Sequence, residues 1–189
     1  MGKAFARLLI FMGIAAMVAS GYLYLHNRAE NRIAAECSAE ILLDIKKNTE
    51  TIPSEPSASA NSTVISPYIG YLSIPALELE LPVADNWNYE KLKQTPCRFS
   101  GSLWENNLVV MAHNYDCHFG KLSTLSPGDD VYFADSQGLT VSFQIAAVDI
   151  LSPSSVKDVT ENDYDLTLFT CTYGGHNRLV VFCNKVLQT

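Results

Sequence analysis

Eighteen consecutive residues without a charge, Leu8–Leu25 (LLIFMGIAAMVASGYLYL), constrain this chain more than any other feature. At about 1.5 Å per residue, a helix of that length spans roughly 27 Å, close to the hydrocarbon thickness of a bilayer. The run reads as an uncleaved membrane anchor. A cleavable signal peptide is the competing reading, because Lys3 and Arg7 precede the run and Val18-Ala19-Ser20 is a tolerable cleavage site. Against it, the run exceeds the roughly 7–15 apolar residues of a signal peptide, and Tyr22 and Tyr24 suit an interfacial belt. Lys3 and Arg7 on one flank balance Arg28 and Arg32 on the other, so charge alone leaves the orientation open.

Charge narrows the partners. The chain has 189 residues, with 13 Lys or Arg against 20 Asp or Glu, a formal net charge of −7. The whole deficit falls in residues 68–189, where seven basic side chains meet fourteen acidic ones. Nucleic-acid binding is excluded, since that affinity comes largely from Lys and Arg displacing counterions. Between the apolar run and this acidic part, Ile33, Cys37, Ile41 and Ile45 recur every four residues, with Glu36, Glu40 and Asp44 between them. Such a stripe predicts an amphipathic helix over 29–47, serving as a stalk, a dimerising surface or a cap. Residues 48–67 (NTETIPSEPSASANSTVISP) lack periodicity and the apolar content needed to offset ordering entropy, so they predict a flexible linker. The expected organisation is a tip and transmembrane anchor over 1–28, the stalk helix over 29–47, the linker over 48–67 and a globular domain over 68–189.

The globular part reads as all-β. Short runs rich in β-branched and aromatic residues follow one another: YIGYLSIP, LELELPV, NLVVMA, DVYFADS, LTVSFQIAAVDI, LTLFTC and RLVVFCNKVL. That many strands in so short a domain imply a barrel or sandwich. Ser126–Asp129 and Asp135–Gly138 carry turn chemistry, and Asn88–Lys93, Phe119–Ser123 and Glu161–Tyr164 are the segments able to form short helices.

Five cysteines, Cys37, Cys97, Cys117, Cys171 and Cys183, leave at least one thiol unpaired. A thiol becomes a nucleophile when a base or a cation stands beside it. In LVVMAHNYDCHFGKLSTL, residues 108–125, an apolar strand delivers His113 and Asn114 into a polar loop. In LTLFTCTYGGHNRLVV, residues 166–181, a strand ends at Cys171, turns, and resumes at Arg178. Neighbouring strands lie about 4.8 Å apart, so the returning strand brings Arg178 beside the end that carries Cys171.

Thr167-Leu168-Phe169-Thr170-Cys171 followed by Arg178-Leu179-Val180-Val181 resembles the signature of the sortase family. Val109–Asn114 with Phe119-Gly120-Lys121-Leu122 resembles its histidine segment, Ile69–Pro75 and Leu81-Pro82-Val83 its opening strands, and Ser126–Asp129 the hairpin after the histidine. Asp85–Tyr89 resembles a stretch of class B members, and class D-like features leave the subclass open. The resemblance covers residues 68–189. It implies a closed β-barrel of about eight strands with short helices, held outside a Gram-positive cell by a single-pass anchor whose N-terminus is cytoplasmic. It also implies a cysteine transpeptidase that cleaves an LPxTG-like sorting signal of secreted surface proteins through a thioacyl-enzyme. The acyl group would pass to an amine of a peptidoglycan precursor or of a pilin lysine. Carried over, Cys171 is the nucleophile and His113 the general acid and later the base. Arg178 orients the substrate and stabilises the oxyanion. Thr170, Ala112 and Asn114, which flank the first two, are expected to contact substrate, and neither a metal nor another cofactor is expected. Ala112 stands where many members have Gly, and only residues 172–177 separate Cys171 from Arg178.

Other readings fit some of the same residues. A cysteine hydrolase would pass the thioacyl group to water, and a non-catalytic anchored β-barrel binding module would make Cys171 structural. His118 is an alternative general acid. Cys117 with His113, His118 and His176 offers soft ligands at a spacing that matches no closed zinc site. A Cys97–Cys117 disulfide would suit an exported domain. Cys183 is expected in the core on the strand face of Val181, opposite Phe182. Trp87 and Trp104 are expected in the core, with the lining of a groove as the alternative.

Overall fold

The structure, a computed structural model, describes residues 2–50 and 66–186. Most of the expected linker, residues 51–65, lies outside the described residues, as does Leu187 at the end of the last expected strand.

The N-terminal part is one helix, α1, Gly2–Glu50. It meets no proline, and after Gly21 no glycine, so the apolar run and the expected stalk share one hydrogen-bonded rod. The side chains of the apolar run are exposed, and the helix is long and apolar enough to cross a membrane. The second half docks on the rest of the molecule. Its buried face is Ala34, Ser38 and Ile45, with Cys37, Ile41 and Leu42 partly covered. This corrects the expected stripe: Ile33 is 59% exposed. A helix turns about 100° per residue, so a strict four-residue spacing drifts about 40° per step and carries Ile33 roughly 120° away from Ile45.

Eight strands close into a barrel in the order β1-β2-β3-β4-β7-β8-β6-β5. They are β1 Tyr68–Ile74, β2 Leu79–Ala84, β3 Cys97–Ser100, β4 Leu108–Met111, β5 Asp130–Asp135, β6 Thr140–Leu151, β7 Leu166–Cys171 and β8 Arg178–Lys185. The pairs β2–β3 and β4–β7 are parallel and the others antiparallel. Closure leaves no free sheet edge. β3 is the strand that sequence pattern misses: it has four residues, including Arg98 and Ser100, and meets β2 only at Ala84↔Cys97.

Alternation of side chains builds two apolar layers. Leu72, Val110, Phe133, Leu168, Val181 and Cys183 fill the barrel interior. Val109, Phe169, Val180 and Phe182 point outward and are covered by Val159 of α3, Val156–Thr160. Cys183 thus shares the inner face with Val181 while Phe182 faces out, as the strand pattern implies. A third cluster, Ala84, Leu92 and Cys97, packs under α2, Tyr89–Leu92, whose N-cap Asn88 accepts from Lys91 N at 2.8 Å.

The helix expected over Glu161–Tyr164 forms one turn earlier, as α3. Asn162 Nδ2 donates to the carbonyls of Asp158 and Val159, and Asn162 Oδ1 accepts from Tyr164 N, so residues 161–164 are the helix exit. Around Phe119–Ser123 a single 3₁₀ turn, Leu122–Thr124, appears. Trp87 and Trp104 are not core residues, being 41% and 76% exposed. Both lie in loops outside the closed barrel, where Trp87 stacks on Phe99 at 6.2 Å between ring centroids. All five cysteines are free thiols, so Cys97 and Cys117 are not bridged.

Candidate active site

Strand register assembles the site. β4 and β7 run parallel with Met111 opposite Phe169, so two residues further along each chain His113 and Cys171 reach the same level. β7 and β8 run antiparallel with Cys171 directly opposite Arg178. The three residues therefore stand in a row at one end of three adjacent strands. Thr170 ties the first two together, because its Oγ1 donates to Ala112 O at 2.8 Å and Ala112 N donates to Phe169 O at 3.2 Å. Thr170 and Ala112 are both buried, and these bonds align the strand ends.

The loop after β4 is folded tightly on itself. Phe119 N donates to His113 O, and His118 N and Gly120 N both donate to Tyr115 O. Gly120 is needed there for space, since a Cβ would stand 2.7 Å from Tyr115 O and 2.8 Å from Asn114 O. Fully buried Phe119 and Leu122 pin the loop into the barrel interior. The turn between β7 and β8 closes through Thr172 N to Asn177 O at 3.0 Å and Gly175 N to Thr172 O at 2.8 Å. Gly174 and Gly175 take φ of 83° and 76°, a conformation that suits glycine.

A cavity of about 900 Å³ opens at this end of the barrel. His113, Asn114, Thr170 and Cys171 line it, with Tyr115 and Tyr173 beside them. Cys171 is partly exposed, as a thiol that meets a peptide must be. Ala112 is not in the cavity wall. Arg178 stands beside the cavity: its Nη1 donates back to the turn carbonyls of Gly175 at 3.3 Å and Asn177 at 3.2 Å.

The far wall comes from α1, through Tyr24, Asn27, Arg28, Glu30 and Asn31. Sequence reasoning assigned none of these to the site. Tyr24, Asn27, Arg28 and Asn31, at i, i+3, i+4 and i+7 with Glu30 beside them, continue the face that buries Ala34 and Ser38, but the face is polar here and carries no hydrophobic signal. Asn31 fixes the helix to the histidine loop: Cys117 N donates to Asn31 Oδ1 at 3.1 Å and Cys117 Sγ to Asn31 O at 3.2 Å.

Electrostatics separate the candidate groups. Burial pushes His113 below its ordinary value, Glu30 pulls it up, and Lys93 adds to the lowering. His118, the alternative general acid, is wholly buried and is pushed down to about 4 by burial and by His113. It does not line the cavity. Ser38 Oγ donates to Gln94 O at 2.6 Å, so the 3.1 Å contact between Ser38 Oγ and His118 Nε2 has the ring nitrogen donating. His118 Nδ1 is then a buried acceptor without a partner. His118 is a bolt between barrel and helix. Among the other thiols, burial pushes Cys97 and Cys117 up to about 11 and Cys183 up to about 12. Among the described residues no group of three or more His, Cys, Asp and Glu side chains is arranged to hold a metal.

Comparison with known proteins agrees with this fold. The sortase domain model matches residues 72–186, more than half of the chain, and the chain belongs to the sortase family. Similar solved structures include sortase C1 from Streptococcus agalactiae, 18% identical over 79% of this chain and 100% of that one, with a TM-score of 0.64. A sortase D5 transpeptidase from Clostridium perfringens is 18% identical over 80% and 99%, with a TM-score of 0.67. Sortase C-1 from Streptococcus pneumoniae is 20% identical over 79% and 100%, with a TM-score of 0.62. At these identities the likeness is one of fold. No curated protein sequence matches the chain.

Proposed function

We propose that this sortase is a membrane-anchored cysteine transpeptidase that cleaves an LPxTG-like sorting signal and transfers the acyl part to an amine of a cell-wall precursor or a pilin. The observation that carries the proposal is the register that sets Cys171 between His113 and Arg178, with the first two lining one cavity. The Cys171 thiolate attacks the Thr carbonyl of the signal, and the Thr–Gly C–N bond breaks as His113 gives its proton to the leaving amine. The acceptor amine then attacks the thioester, loses its proton to His113 and releases Cys171 as thiolate, which restores the starting state. Arg178, released from its turn carbonyls, offers its planar fork to the substrate and to the oxyanion. Thr170 and Ala112 align the strand ends beneath the peptide, and Asn114 contacts it from the cavity wall. The apolar run of α1 forms the anchor with its N-terminus cytoplasmic, which leaves the barrel and the cavity outside the cell.

Incubating the full chain in detergent with a pentapeptide library and several amines, read by mass spectrometry, tests this. Amine-dependent appearance of the joined product is expected. Release of free acid at a rate indifferent to added amine would make the protein a hydrolase, and no cleavage at all would leave a binding module. Cys171→Ala should abolish turnover while keeping the unfolding transition, and Arg178→Lys should lose most of it because an ammonium cannot reproduce the fork. Near-normal rates in either variant would contradict the assigned roles.

A further inference from the structure

The histidine is not held by the barrel alone. Its ring stacks on Tyr115 with centroids 4.9 Å apart and planes 30° apart. Tyr115 OH in turn donates to Glu30 Oε2 at 3.4 Å, across 85 positions of sequence, to a helix that runs on from the apolar segment. The other oxygen, Glu30 Oε1, lies 3.4 Å from His26 Nε2. One residue along the helix, Asn31 clasps Cys117 through both its backbone and side chain, so the helix cannot slide against the loop without breaking this set.

We propose that Glu30 of α1 is a positioning residue for His113, acting through Tyr115 and through its own charge, which makes the membrane-proximal helix a working part of the active site. This rests on the transpeptidase assignment of His113, and it names what holds that residue in place.

Several charged or titratable groups face His113, and their signs decide what Glu30 can do. On its own loop stand Tyr115, Asp116 and buried His118, the last opposing a second positive charge. From α1 come Tyr24, Arg28 and Glu30. Cys171 and Tyr173 face it from β7 and the following turn, and Lys93 acts from the segment after α2. Burial and Lys93 disfavour the imidazolium, whereas Glu30 favours it. The leaving amine needs a proton, and a carboxylate at this place raises the charged fraction of His113 against that lowering. Tyr115 holds the ring plane while this happens. Because Glu30 is 41% exposed, solvent screens the effect and keeps it modest.

The test is the titration midpoint of the His113 ring, followed by NMR on the full chain in detergent for wild type, Glu30→Gln, Glu30→Asp and Glu36→Gln. Glu36 lies on the exposed side of the same helix, paired with Arg32 at 2.7 Å, and serves as the control for a general charge effect. Glu30→Gln should lower the midpoint by roughly 0.3 pH units, about a twofold loss of imidazolium at pH 7, with acylation slowed to match. Glu30→Asp, which keeps the charge but not the reach, should fall between. Glu36→Gln should leave the midpoint where it was. An unchanged midpoint in Glu30→Gln, or an equal shift in Glu36→Gln, overturns the proposal. A shifted midpoint in a protein that joins no peptides would uphold the positioning role and sink the transpeptidase reading instead.

Discussion

Cys171 differs from the neighbouring thiols in where it sits rather than in what it is. Cys97 and Cys183 are wholly buried and, with Cys117, are held as neutral thiols at ordinary pH by burial. Cys171 ends its strand facing a cavity. A methanethiosulfonate reagent should therefore modify Cys171 well before those three, read by peptide mapping. Equal, slow labelling of all four would mark Cys171 as structural. His118 carries a different prediction. In the unfolded chain it binds a proton near its ordinary 6.5, but in the folded protein only near 4. The unfolded state thus takes up the proton first, and stability is lost as pH falls through that window. The thermal midpoint of the wild type should drop more steeply between these pH values than that of His118→Phe, and parallel curves would contradict the buried, half-satisfied ring.

At the scale of elements, the docking of α1 depends on small contacts. Ser38 is 3% exposed and serves both Gln94 O and His118 Nε2. Ser38→Ala removes both bonds, one of them to the buried His118 ring, and should cost about 1–3 kcal/mol in denaturant unfolding. Hydrogen exchange should also quicken in residues 113–120, since helix and loop share the contact; no change in either would mean that the helix is not fastened there. Gly120→Ala should disturb the same loop, which lines the cavity, by steric conflict with Tyr115 O and Asn114 O, and lower turnover. Part of this organisation is legible in the sequence. The long strands declare themselves by β-branched runs, and the Cys171–Arg178 pairing follows from a six-residue turn with two glycines. β3 does not, because its four residues are stabilised by pairing with β4 rather than by their own pattern. The docking face of α1 is legible at Cys37, Ile41 and Ile45, but nearer the cavity it escapes for a related reason. It runs through Asn31, Ala34 and Ser38, residues that bury small or polar surface, while the conspicuous Ile33 faces away.

For the whole molecule, the uninterrupted α1 couples two tasks that the sequence presents as separate segments. The helix that is apolar enough to cross a membrane also walls the cavity that holds Cys171 and His113, and it is tied to the barrel by Lys46 and Glu80 at 2.6 Å. That coupling was hidden because a hydropathy pattern reports what a helix buries and is silent about what it lines. The His113, Cys171 and Arg178 row, by contrast, follows from local motifs because strand ends and tight turns leave little freedom in where such residues go. The central claim is that Cys171 carries the acyl group. Mixing the full chain with an LPxTG-like peptide without an added amine, then quenching in acid and mapping by mass spectrometry, measures this directly. The account predicts a thioester-linked peptide fragment ending in Thr on Cys171, the Gly-side fragment free in solution, and loss of the adduct once an amine is supplied. Cleavage without any adduct on Cys171, or a thioester adduct on another cysteine in Cys171→Ala, would contradict it.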